Sequence, residues 1–133
     1  MAFFGPTTKS HFRRGNQIRI HKEMTQLAGD LQQLYRDASR ERAALHRLAM
    51  KSPKASLLDL IEQFVDTVQG HAMTIAEDKS SGDSRAAIKA LAKQDAFELL
   101  ERSADYPKLR RYVAFADYLR RLAIEYFETS LAA

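Results

Sequence analysis

The chain has 133 residues, enough for one domain with a core of its own, and 45% of them are hydrophobic. It has no cysteine, which excludes disulfides, thiolate metal sites and cysteine-based catalysis, and it has no apolar run long enough to span a membrane. The net charge of +4 is spread unevenly, +7 over residues 1–54, −5 over 55–83 and +2 over 84–133, so a basic front meets an acidic middle and the total alone does not argue for nucleic acid.

The opening MAFFGPTTKSHFRRG lacks the basic, apolar and small-residue order of an export signal, and a cytoplasmic location is the expectation. Gly5-Pro6 is a breaker, and Thr7, Thr8 and Ser10 suit turns. Residues 1–15 therefore read as a basic arm, flexible or loosely docked, ahead of a single helical domain over residues 16–133. Asn16 reads as a helix cap, with the first helix starting at Gln17.

That first helix is predicted over Gln17 to Met50, 34 residues without proline. Met24, Leu31, Ala38 and Leu45 fall on one heptad position. Ile20, Leu27, Leu34 and Leu48 fall on the other, with Glu41 as its gap. Such a helix would run about 50 Å. Ala28, Tyr35 and Ala49 widen the stripe, which fits a bundle better than a two-stranded coiled coil. Pro53 closes the element.

The second predicted helix covers about Lys54 to Lys79, with Leu58, Ile61, Val65, Val68, Ala72 and Ile75 as its stripe. Ser80-Ser81-Gly82-Asp83-Ser84 reads as a loop, with a third helix starting at Asp83 or Ser84. Its face of Ile88, Leu91, Ala92, Ala96 and Leu99 is interrupted by Asp95, so the element is expected to bend or to bury two faces. If Asp95 is buried, it needs a cationic or amide partner.

Pro107 opens the last helix, to about Thr129, with Asp105 or Tyr106 at the cap. One of its faces holds Leu109, Tyr112, Val113, Ala116, Ala123, Phe127 and Leu131. A second, adjacent face holds Phe115, Tyr118, Leu119, Leu122 and Tyr126. Asp117 falls on the narrow polar strip left over. A helix apolar over most of its circumference sits centrally or at an interface. In a four-helix protein a central helix is hard to arrange, so the second face reads as a protein contact. The fold expected is all-α, an antiparallel bundle of three to four helices with a long N-terminal helix.

No catalytic constellation is present in the sequence. The four histidines lack metal-ligand spacing, and there is neither a phosphate-binding glycine loop nor a nucleophile elbow. Asp59, Glu62 and Asp66 share one side of the second helix, as a solvated acidic face also would. No catalytic residue, metal or cofactor is expected. Three basic groups remain as candidate phosphate or anion contacts: Lys9, Arg13, Arg14, Arg19 and Lys22 at the front; Arg36, Arg40 and Arg47 on the long helix; and Lys108, Arg110 and Arg111 at the start of the last helix, where the helix dipole would add to the attraction. The sequence thus points to a non-enzymatic interaction module, an adaptor, regulator or inhibitor with a protein partner, plausibly a homodimer. The alternative is a nucleic-acid accessory protein using the basic arm and the outer face of the first helix.

Overall fold

The apolar stripes above require helices packed around a shared core, and the computed structural model, which describes residues 6–51, 56–77 and 81–132, is all-helical. The described residues form six helices, α1 (Pro6–Asp37), α2 (Ser39–Ala49), α3 (Leu57–Glu77), α4 (Ser81–Ala92), α5 (Phe97–Arg102) and α6 (Pro107–Ala132). Among the described residues there is no strand, and no helix is long and apolar enough to cross a membrane.

Six segments, rather than three or four, arise because two of the expected helices are divided. The long first helix breaks at Ala38, which is fully buried and sits at φ −89°, ψ 14°. Arg42 holds the break. Its Nε donates to the Tyr35 carbonyl at 2.9 Å, and its guanidinium lies 3.8 Å above the Tyr35 ring. The expected third helix divides between Ala92 and Phe97. Asp95, expected near an apolar face, is instead exposed, and its Oδ1 accepts the Phe97 N–H at 2.8 Å. It sits one residue before the Ala96 N-cap and accepts the first N–H of α5, so its negative charge stays in water and needs no buried counter-ion.

The N-terminal boundary also moves. α1 starts at Pro6, not Gln17, so residues 6–15 are helical and not an irregular arm. Proline costs nothing as a first helical residue, because its missing N–H has no helical partner anyway. Gly15 lowers helix propensity by only about 1 kcal/mol, too little by itself to end a helix. Phe3, Phe4 and Gly5 lie outside the described residues. In α3 the cap is Ser56, whose Oγ accepts the Asp59 N–H at 3.0 Å.

α6 is the centre. Leu109, Tyr112, Val113, Ala116, Leu119, Leu122 and Ala123 are all buried, and the helix packs most extensively on α1 and α3, then on α4, α5 and α2. The His21 and Tyr126 rings lie 5.8 Å apart, and those of Tyr35 and Tyr112 5.5 Å. Numbers rise along α1 as they fall along α6, so the two are antiparallel. By the same register, positions before residue 15 of α1 have no described residue of α6 opposite them.

Candidate functional site

The second apolar face of α6 is largely consumed by the chain itself. Leu119 is fully buried and Leu122 nearly so, both within the core. The premise that a central helix is hard to arrange does not hold once two helices are divided and five elements surround α6. Phe115 and Tyr126 are partly buried against the core, and Tyr118 is 48% exposed. Arg111 lies 5.3 Å over the Phe115 ring. The Tyr118 hydroxyl donates to Glu23 Oε2 at 3.1 Å, and this bond, with the Glu23 charge, raises the Tyr118 pKa above the usual tyrosine value.

Asp117, expected on the polar strip, is the buried acid of this helix. Arg120 Nε meets its Oδ1 at 2.9 Å and Arg121 its Oδ2 at 3.0 Å. Arg120 also donates through Nη1 to the Leu91 carbonyl at 3.4 Å, near the C-terminus of α4, where a cation suits the helix dipole. This cluster ties α6 to α4.

The start of α6 corrects a further expectation. Lys108, Arg110 and Arg111 are exposed there, but the helix N-terminus already holds an anion. Glu41 Oε1 accepts the Leu109 N–H at 2.8 Å, and Oε2 accepts the Lys108 N–H at 3.3 Å. Glu41 is the gap in the heptad. It breaks the apolar row because it fills the first turn of another helix, satisfying two N–H groups that would otherwise lack partners. Arg110 Nε bonds the Leu100 carbonyl at 3.4 Å.

Among the described residues the basic side chains do not gather into one patch. Arg36 and Arg40 are exposed near the α1–α2 junction, the end at which α6 begins, and Arg47 lies farther along α2. Arg19 and Lys22 belong to the half of α1 that faces the later turns of α6, and Arg19 is paired with Glu23 at 2.9 Å. From Lys22 to Arg36 is about 21 Å along the helix. Lys9, Arg13 and Arg14 occupy positions in α1, but their side chains lie outside the described residues.

One apolar group stands out at that same end. Ile18 is 59% exposed, and with Gln17, His21, Lys22 and Tyr126 it lines an open groove of about 340 Å³ on the α1–α6 seam. The heptad reading passed over Ile18 because it lies off both buried rows. An isoleucine on an otherwise polar face was the signal available. Leu48 reverses an expectation, since it was placed in the stripe but is 54% exposed near the end of α2. Among the described residues, no three histidine, aspartate or glutamate side chains are grouped to hold a metal ion. Compared with protein-family models, curated proteins and solved structures, the chain matches none.

Proposed function

We propose that this chain is a non-enzymatic helical interaction module, an adaptor, regulator or inhibitor that works by binding another protein at the open end of the α1–α6 seam. The observation that carries this reading is the exposed Ile18 beside His21, Lys22 and Tyr126. An apolar side chain next to an aromatic ring and a cation suits a partner segment that offers an apolar residue flanked by acidic ones. A second copy of the chain is one such candidate. The test is affinity capture from the native cell with the wild type and Ile18→Asp, alongside sedimentation equilibrium of both. A protein retained by the wild type and lost by the variant supports the reading. Equal recovery with both removes this surface from it.

The alternative, binding of nucleic acid, is favoured by one observation. α1 continues as a helix through positions 9, 13 and 14, where no described residue of α6 stands opposite. A helix carrying several basic residues can lie along phosphates. Nuclease-sensitive material that is lost with Arg19→Ala and Lys22→Ala, and kept with Ile18→Asp, selects this alternative.

A further inference from the structure

Phe97 opens α5 with 66% of its surface exposed, more than any other phenylalanine or tyrosine among the described residues. With Leu100, Glu101, Ala104 and Arg110 it lines an open groove of about 600 Å³ between α5 and the first turns of α6. Phe97 and Glu101 are four residues apart and so share a face of α5. Arg110 reaches in from α6, held by the bond from its Nε to the Leu100 carbonyl at 3.4 Å. Glu101 and Arg110 are both exposed. Among the described residues neither forms an ion pair, with the other or with a third group. The groove therefore combines an exposed ring, an apolar lining of Leu100 and Ala104, and one unpaired charge of each sign.

We propose that this groove is the contact through which two copies of the chain pair about a two-fold axis. In such a contact the same patch serves both partners, so it must be complementary to itself. A patch of one sign fails that condition, because two copies repel, whereas this one carries both signs. When a second copy docks, each Phe97 ring covers the partner's Leu100 and Ala104, and each Glu101 comes opposite the partner's Arg110. Ion pairs then flank the buried rings, an apolar centre with a charged rim. A segment of another protein has to supply its own matching charges, and a second copy already brings them. The patch is small, so the pairing is weak, at the low end of specific interfaces. Arg110 lies about 24 Å along α6 from Tyr126, so this contact stands or falls apart from the Ile18 surface proposed above.

The test is sedimentation equilibrium of the full chain from about 10 µM to about 1 mM. The apparent mass is expected to rise from one chain toward two, with a Kd on the order of 100 µM. Phe97→Asp is expected to weaken pairing at least about tenfold, with helix content by circular dichroism unchanged because the position is exposed. Glu101→Arg alone and Arg110→Glu alone each set like charges opposite one another, and each is expected to weaken pairing about tenfold. Mixed in equal amounts, those two variants meet with opposite charges at both contacts, and pairing is expected to return to within about threefold of the wild type. Neither misfolding nor the simple loss of a charge produces such a rescue. Ile18→Asp is expected to pair as the wild type does. A wild type that stays monomeric up to about 1 mM overturns the proposal. So does pairing that survives Phe97→Asp at wild-type strength, pairing lost with Ile18→Asp, or a mixture no better paired than either charge variant alone.

Discussion

The two halves of α6 are held in different ways. From Pro107 to Arg120 the helix is fixed by directed polar contacts. Glu41 closes its first turn, Arg110 reaches the Leu100 carbonyl, and Asp117 with Arg120 reaches the end of α4. Beyond Arg120 the helix buries Leu122 and Ala123 and sets the Tyr126 ring 5.8 Å from that of His21, with Ile18 left exposed beside them. Directed bonds specify one arrangement and leave little for a partner to complete. A stacked edge with an open groove leaves a surface whose burial is still to be gained. The contrast places structural cost in the first half and leaves the second as the half on which the proposed function rests.

The sharpest way to break the contrast is Asp117→Ala. It strands Arg120, whose side chain is only 17% exposed, and is expected to cost about 3 kcal/mol, read as a lower urea midpoint. Glu41→Ala comes next, at about 1–2 kcal/mol, because two N–H groups of α6 lose their acceptor. If Glu41→Ala leaves the urea midpoint unchanged, the first half is not anchored as described.

A smaller effect depends on pH. The Tyr112 pKa is raised in the native state, by burial first and then by Asp66, Tyr35 and Glu62. In the unfolded chain the phenol ionises near pH 10. The native state therefore holds the proton more tightly. Its contribution to stability is intact below about pH 10 and is lost as the pH rises toward the native value. Tyr112→Phe should flatten the fall in urea midpoint between about pH 9 and pH 11. The smallest effect on stability belongs to Ile18→Asp, within about 0.5 kcal/mol, since the side chain is exposed. Its large effect should fall on partner recovery alone.

Much of the core was legible because burial follows helical period. Met24, Leu31, Ala38 and Leu45, and the α3 row from Leu58 to Ile75, are buried where the pattern puts them. Pro107 marked the start of α6 because proline suits a first helical turn. What failed were readings that assumed unbroken helices. The break between Ala92 and Phe97 resets the phase, so Asp95 moved from an apolar face to an exposed position just before α5. Asp117 moved the other way, because the apolar count around α6 could not show that α4 brings a carbonyl to Arg120. Glu41 read as a weak point in a stripe, since a cap given to a helix 67 residues later leaves no local trace. The apolar face of α6 was found, but its occupants within the chain were not.

The central position of α6 also bears on the order in which the fold can form. Of the described helices it is the last to be synthesised, and α1 and α3 meet their main packing surface only when it arrives. The Glu41–Leu109 bond spans 68 residues, so it cannot form early through local closure. Until then the buried rows of α1 and α3, Ile20, Met24 and Leu31 with Val65 and Val68, have no α6 to cover them. A ribosome-bound chain paused before Pro107 should be protease-sensitive and prone to aggregate, becoming resistant only after α6 has emerged.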